Sequence, residues 1–276
     1  KIPVVFRDLI SRIHKKGKEF RPEVIFVTDG PGLSPSLWTG VNQAVILAEA
    51  LSIPVYGVNH MHGHLFSLLC KQEFKVVPLM HELQNSLGVL ISGGHTDFLS
   101  VKNWGEYSWL GGTQDDAIGE AFDKVAKMLG LGYPGGPIVS KRAVEGDPNA
   151  FDFPLPMLHS KDLMMSYSGL KTAVLYTIQD YQKEHDVLED NFVNNICASF
   201  QRAAVDVLVK KIAFAIKQES PQKLLIGGGV IANPNLKSQL EVLSQDTGVE
   251  IIMARGVLTS DNAIMIGVAG LLHLQH

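Results

Sequence analysis

The sequence predicts an α/β fold in two lobes, and three observations predict it. Short β-rich apolar runs alternate with helical stretches, the ordering expected of α/β proteins. Three glycine-rich turns, Gly30-Pro31-Gly32, Ser92-Gly93-Gly94 and Gly227-Gly228-Gly229, each follow one of those runs. The chain has 276 residues, 46% of them hydrophobic, which is enough for substantial cores, and at this length cores tend to divide in two.

The opening residues read as a helix, because Val5, Leu9, Ile10 and Ile13 recur at helical spacing. Arg7, Arg12, Lys15, Lys16, Lys18 and Arg21 crowd the same stretch and read either as a nucleic-acid contact or as an ordinary solvated face. Folds of this kind normally begin with a central strand, so a start at Lys1 in a helical pattern leads us to expect a further piece ahead of it. Residues 23–28 are a β-rich run closed by Asp29-Gly30-Pro31-Gly32, and residues 37–51 a helix with a mostly apolar circumference. Residues 54–58 make another strand, ahead of a helix that carries His60-Met61-His62-Gly63-His64. Residues 87–92, 98–101 and 107–110 form a three-strand run.

Residues 115–129 are helical, with Ile118, Phe122, Val125 and Leu129 on the buried face and Asp116, Glu120 and Asp123 together on another. Gly130 and Gly132 end that helix. A stretch rich in proline and aromatic residues around 151–156 precedes long helices over 170–182 and 191–218. A second compact unit follows: a strand at 223–226, the triple-glycine turn, a helix over 230–243, a strand at 249–253 and a final helix from Ser260. No repeat at solenoid periods and no low-complexity tract interrupts this order.

Composition narrows the function classes. With 24 basic against 28 acidic residues and a formal charge of −4, nucleic-acid binding has to rest on a local patch. Cys70 and Cys197 are too few for a disulfide framework and neither stands in a Cys-x-x-Cys arrangement, which fits a reducing compartment. No apolar stretch approaches the ~20 residues of a membrane span, and the opening residues do not read as a charged-then-apolar leader. We expect a soluble chain in the cytoplasm, or in the mitochondrial matrix.

His60 and His64 stand four residues apart and so share one helix face, where their rings can converge on one ion. Thr259-Ser260-Asp261-Asn262 offers a carboxylate as a third ligand, and two histidines with one carboxylate leave positions open for a substrate oxygen. The alternative is that the two histidines are hydrogen-bonded interior residues and Asp261 complements a helix amino terminus. His62 lies on a different face and reads as structural. No glutamate sits inside the pair, so the zinc-protease pattern His-Glu-x-x-His lacks its general base. The glycine turns admit an anion close to backbone amides, and a following helix start adds a favourable dipole; each alone is also an ordinary tight connection. No Walker lysine and no G-x-G-x-x-G fingerprint is present. Asp123, ahead of the loop that ends Tyr133-Pro134-Gly135-Gly136-Pro137, suits a ribose hydroxyl pair, or else belongs to a solvated acidic face.

Read together, Asn59-His60-Met61-His62-Gly63-His64, Ser92-Gly93-Gly94-His95-Thr96, the run from Asp115-Asp116 to Asp123-Lys124, Tyr133 to Pro137 and Ser168-Gly169-Leu170-Lys171 resemble one family. It is the tRNA adenosine threonylcarbamoyltransferase (TsaD) family, formerly called O-sialoglycoprotein endopeptidase. Gly227 to Asn233 and Ser260-Asp261-Asn262 continue the match in the family's order, over nearly the whole chain. The resemblance implies the ASKHA architecture of actin, sugar kinases and Hsp70, with two α/β lobes around a nucleotide and metal cleft: residues 1–83 in the first lobe, 84–259 in the second, and 260–276 a closing helix returning to the first.

The family's roles map by motif. His60, His64 and Asp261 correspond to the ligands of one divalent metal ion, iron or zinc. Leu90, Ile91, Ser92, Gly93 and Gly94 correspond to the loop at the acyl-adenylate, Asp123 and Gly136 to ribose and adenine contacts, and Asn233 to a further nucleotide contact. The acidic wording of 115–124 looks like the bacterial and mitochondrial branch. The implied reaction moves the threonylcarbamoyl group from threonylcarbamoyl-AMP to the exocyclic amine of the adenosine beside the anticodon of ANN-reading tRNAs, releasing AMP; no general base is named. The implied partners are tRNA, a paralogous ASKHA subunit and a small ATPase in the bacterial case, or a second copy in the mitochondrial one, with no membrane.

Family members open with a strand and turn of the type Gly-Ile-Glu-Thr-Ser-Cys-Asp-Asp-Thr, the first phosphate loop, and no such segment occurs here. The expectation is a piece missing from the start; a paralogue kept as a scaffold is the alternative, and the intact ligand trio favours the former. The rival activities are a metal-dependent glycoprotein endopeptidase and a non-catalytic nucleotide-binding subunit.

Overall fold

The computed structural model describes residues 2–68, 83–103, 106–254 and 256–274, so Lys1 and Cys70 lie outside the described residues. The chain forms two compact units, Lys1–Ser67 with Asn262–His276, and Leu68–Asp261.

The first unit opens with α1 (Ile2–Lys15), whose apolar and polar residues do segregate, yet none of its residues is buried. Val5 is 67% exposed and Leu9 is exposed as well, while Ile10 and Ile13 are half-buried, so the apolar stripe legible in the sequence is only partly covered among the described residues. Two of the basic residues are already paired, Arg12 with Asp8 at 2.8 Å and Arg21 with Glu19. Strand β1 (Ile25–Gly30) and strand β2 (Val55–Asn59) pair in parallel, Ile25 opposite Val55, which requires the crossover that α2 (Ser34–Leu51) supplies. Pro35 fits the first turn of α2, where a missing N–H costs nothing, and Ser52 ends the helix in the left-handed conformation. Strand β2 runs directly into α3 (His60–Ser67).

The second unit is built on a mixed sheet. Strands β3 (Ser86–Ile91), β4 (Thr96–Asn103) and β5 (Glu106–Gly112) form an antiparallel meander. Helices α4 (Ile118–Met128), α5 (Gly135–Ala143), α6 (Ser168–Tyr181) and α7 (Asp190–Glu219) follow, then β6 (Lys223–Gly227), α8 (Pro234–Thr247) and β7 (Glu250–Met253). The strand order is β5-β4-β3-β6-β7, with β6 and β7 parallel to β3. Every side chain of β3 is buried, as expected of a central strand covered on both faces. Val89, Ile91, Phe98 and Ile226 meet Phe122 and Val125 of α4 and Phe200, Ala204 and Leu208 of α7 in one core. Phe122 and Phe200 meet edge to face, 4.9 Å between centroids, an arrangement favoured by the ring quadrupoles.

The chain then returns to the first unit through α9 (Ala263–Leu274), which packs on α3 and the two strands there. Two glycines permit this docking. A Cβ at Gly63 would stand 2.9 Å from Ile266 Cδ1, and one at Gly270 would overlap the Phe26 ring at 2.1 Å.

Two local expectations are corrected. Residues 130–137, read as a loop, contain the start of α5: Pro134 is its N-cap, and Pro137 falls in the first turn, where its missing N–H has no partner to lose. The helix expected over 230–243 begins instead at Pro234, after a 3-10 turn over Gly229–Ala232. Among the described residues no helix is long and apolar enough to cross a membrane.

Candidate functional site

Asn59 ends β2 and its side-chain Oδ1 accepts the Met61 amide at 2.8 Å, which starts the histidine helix at a fixed point. From there the four-residue spacing places the His60 and His64 rings edge to face, 4.8 Å between centroids. His64 is 1% exposed, and Ser67 Oγ donates to its carbonyl at 2.8 Å. Asn262 caps α9, its Oδ1 accepting the Met265 amide at 2.9 Å. Asp261 is peptide-bonded to that cap, where the chain re-enters the first unit. One ligand atom from each of His60, His64 and Asp261 lies within 4.8 Å of the others. Two imidazoles and one carboxylate at this spacing fit a divalent transition metal such as zinc or iron.

His62 points elsewhere. It is 7% exposed, with Nδ1 3.2 Å from Nε2 of His273 and its ring against Phe66. Burial first, then the neighbouring His273, holds its imidazole down to about 4, against an upward pull from Asp29.

In the second unit a cavity of about 500 Å³ opens where four backbone segments meet, and Gly93, Asp123, Gly136, Ser140 and Asn233 are among its lining residues. Ser92-Gly93-Gly94 is the hairpin turn from β3 into β4, within the three-strand run read from the sequence, so the strand pairing continues past it and no helix dipole follows it. Ser92 Oγ accepts the amides of Gly94 at 3.2 Å and His95 at 3.0 Å, which stiffens the turn. The helix that does meet this turn is α4: a Cβ at Gly119 would lie 2.7 Å from the Ser92 carbonyl oxygen. Leu90 and Ile91 are buried in β3 and Gly94 is exposed; none of these three lines the cavity.

Asp123 reaches from α4 to the first residue of α5, its Oδ1 accepting the Gly135 amide at 2.7 Å. It thereby supplies the carboxylate that a helix amino terminus favours, and it lines the cavity as well. Gly135 has no room for a side chain, a Cβ there standing 2.6 Å from the Asp123 Cα, whereas a Cβ at Gly136 would meet nothing within 4 Å. Gly136 thus leaves open a space that any other residue would begin to fill. On the far side, Gly228 holds φ at +97°, and a Cβ there would be 2.3 Å from the Ile91 carbonyl, so the third glycine turn passes the end of β3 at backbone contact. Asn233 then caps α8 through Leu236.

The acidic face of α4 divides. Asp116 is only 9% exposed and is held by Lys124 and, at 2.6 Å, by Lys171 of α6. Burial acts to raise its carboxyl, but the two lysine hydrogen bonds and charges outweigh it and leave the group below the ordinary carboxylate range. Asp115 accepts from the Ser166 and Ser168 hydroxyls and from the amides of Tyr167 and Ser168. Ser168-Gly169-Leu170-Lys171 is therefore the segment that the Asp115-Asp116 pair anchors. Three residues without a sequence signal also matter here. Gln201 and Ser140 bind Asn233, and Lys211, 2% exposed, ties the loop before α6 by donating to Ser160 Oγ and to the Asp162 carbonyl, each at 2.7 Å. Cys197 is fully buried, which pushes its thiol up to about 12 against the pull of Arg142 and makes it a core residue rather than a nucleophile.

Comparison with known proteins gives consistent results. Residues 3–268 match the family model described as tRNA N6-adenosine threonylcarbamoyltransferase. Curated proteins of that name are similar to this chain: from Trichlorobacter lovleyi, 45% identical over 248 residues, covering 90% of this chain and 69% of that protein. The one from Thermosipho africanus is 41% identical over 269 residues, covering 98% and 77% respectively. Among solved structures, T. kodakarensis HypF superposes with a TM-score of 0.69 at 13% identity, and full-length HypF in a phosphate- and nucleotide-bound form with 0.66 at 15%. These cover 100% and 98% of this chain but only 44% and 50% of the HypF chains, and at such identities the likeness bears on the fold alone. The α/β mixed-sheet architecture is consistent with an ASKHA-like fold.

Proposed function

This chain belongs to the tRNA N6-adenosine threonylcarbamoyltransferase family, and from that premise we propose a division of labour among its residues. Its function is tRNA modification, as a transferase. The donor in our reading is threonylcarbamoyl-AMP, and the acceptor is the exocyclic amine of the adenosine beside the anticodon of ANN-reading tRNAs. The observation that carries the reading is the second-unit cavity, where Asp123, Gly93, Gly136 and Asn233, quoted from separate motifs up to 140 residues apart, line one space.

In that space the nucleotide half of the donor binds. Asp123 uses Oδ1 on Gly135 and offers Oδ2 to the ribose hydroxyls. Gly136 leaves room for the base, and the turn at Gly93 lets backbone approach the phosphate. His60, His64 and Asp261 would hold a divalent ion, iron or zinc; such an ion supplies Lewis-acid polarisation of the threonylcarbamoyl oxygens. The exocyclic amine attacks the carbamoyl carbon, the bond to the AMP phosphate oxygen breaks, and the amine loses a proton. Adenine's exocyclic amine is a weak nucleophile, so holding donor and acceptor in register carries much of the acceleration. An ASKHA cleft between lobes at residues 1–83 and 84–259, closed by 260–276, is the frame we propose for this arrangement. As partners we propose tRNA, a paralogous ASKHA subunit and a small ATPase. Peptide hydrolysis has no support in the histidine helix, which lacks a glutamate between its ligands.

The test is transfer of radiolabelled threonine, as preformed threonylcarbamoyl-AMP, onto unmodified tRNA with the partner proteins present, before and after chelation. Metal-dependent labelling of the anticodon-loop adenosine is expected. His60→Ala and Asp261→Ala are each expected to lose bound metal, read by elemental analysis, with the circular dichroism spectrum unchanged; full labelling by either variant would remove the metal from the mechanism.

A further inference from the structure

His62 stands in sequence between the two histidines that face Asp261, yet it points the other way. At about 100° per residue, His60 and His64 lie about 40° apart around the axis of α3, and His62 about 180° from the line between them. Its ring is turned to α9 instead, Nδ1 3.2 Å from Nε2 of His273 and the centroids 5.4 Å apart. His273 belongs to the last turn of α9 and is exposed on its outer side. Two neutral imidazoles suffice for this bond, since each has one ring N–H and one acceptor nitrogen.

Roll of α3 about its own axis is the motion that would misdirect its imidazoles. Side-chain ends sit about 5–6 Å from a helix axis, so a roll of about 10° carries them about 1 Å sideways. Metal-ligand distances tolerate about 0.2 Å, several times less. The neighbouring contacts of α3 constrain other things. Asn59 fixes where the helix begins, through the Met61 amide. Gly63 sets how closely α9 approaches, a Cβ there standing 2.9 Å from Ile266 Cδ1, but a glycine has no side chain to catch on its neighbour when the helix turns. Leu65 and Phe66 are buried and hold the helix down, although apolar contact has no preferred direction. The bond from His62 to His273 is directional and weakens steeply as its angle departs from linear. It lies at the back of the helix, where His62 is 7% exposed and a lost partner is poorly replaced by water.

We propose that His273 is a positioning residue for the metal site: through its bond to His62 it sets the roll of α3, and with it the aim of the His60 and His64 rings. It acts from the far end of α9 and contributes no ligand atom to the group formed by His60, His64 and Asp261. The proposal rests on the metal reading of that group.

The test is the zinc affinity of the full chain, measured by competition with a chromophoric chelator, together with thermal unfolding of the metal-free protein. His273→Leu is expected to weaken zinc about ten-fold, as loss of an outer support of a metal ligand does. His273→Gln places an amide about where Nε2 stands, able to donate or to accept, and is expected to bind zinc within about two-fold of the unsubstituted chain. A residue that merely supported the fold would lower the metal-free unfolding midpoint and leave zinc affinity where it was. Zinc binding by His273→Leu within about two-fold of the unsubstituted chain would therefore overturn the proposal, and so would equal weakening by Leu and Gln. In a His62→Leu background, His273→Leu is expected to cost nothing further, and additive losses would also overturn it. The two His273 variants decide the matter even if His62→Leu does not fold. Failure of the unsubstituted chain to bind zinc would instead overturn the metal reading, and the positioning role with it.

Discussion

Asp116 shows how one side chain can be misread from its neighbours in sequence. Placed beside Glu120 and Asp123 it looks like part of a solvated acidic face, but Lys171, 55 residues on, makes it a buried ion-pair centre. Removing the charge leaves two ammonium groups short of a partner, so Asp116→Asn is expected to destabilise the chain by about 2 kcal/mol in urea unfolding near pH 7. The pH dependence has a definite sign. Because the folded carboxyl lies below its ordinary value of 3.8, its stabilisation is complete above that pH and is lost as pH falls through the lower folded value. The gap between Asp116→Asn and the unsubstituted chain should therefore be flat from pH 8 to 5 and narrow only below 3.8; a gap that closed near neutrality would contradict the assignment. The Asn233 network was illegible for the same reason, its partners lying 93 and 32 residues away. The histidine pair was legible because its geometry is local, set by one helical turn.

At the level of elements, the strands and long helices could be read from periodicity because burial here follows pattern: β3 is apolar and covered on both faces, and α4 carries its apolar residues at helical spacing. Helix α5 escaped because Pro-Gly-Gly-Pro is turn chemistry in most settings, and the reason for Gly135 is a tertiary contact with α4. That contact makes a prediction. Gly135→Ala must push α4 and α5 apart, since the new Cβ would fall 2.7 Å from both the Ala126 Cβ and the Phe122 carbonyl oxygen. A loss of about 2–3 kcal/mol is expected, the usual consequence of overpacking. AMP affinity should fall with it, because Asp123 and Gly136 move apart. Gly136→Ala, with open space around its Cβ, should leave the unfolding midpoint within error and lower AMP affinity alone. If both variants lost stability equally, the cavity would not be where the structure has it.

At the level of the molecule, the two sets of functional residues are drawn from different parts of the chain. The histidines belong to the first unit, whereas the cavity is lined wholly by residues 93–234 of the second. Chelation is therefore expected to abolish threonylcarbamoyl transfer while changing AMP affinity less than two-fold; a joint loss would mean the metal helps to build the cavity. The sequence alone could assign the family and the order of elements, since motifs survive as words, and the resemblance implied a last helix returning to the first lobe; what it could not give is which residues of α9 meet α3 and the two strands laid down at the start. This return has a consequence for biosynthesis. Gly63 and Phe26 meet their partners on α9 only after more than two hundred intervening residues have been made. A ribosome releases the histidine helix long before the segment that covers it, so the second unit can finish folding while the first is still open on the nascent chain, and ribosome-associated chaperones have a defined apolar surface to hold until the last helix emerges.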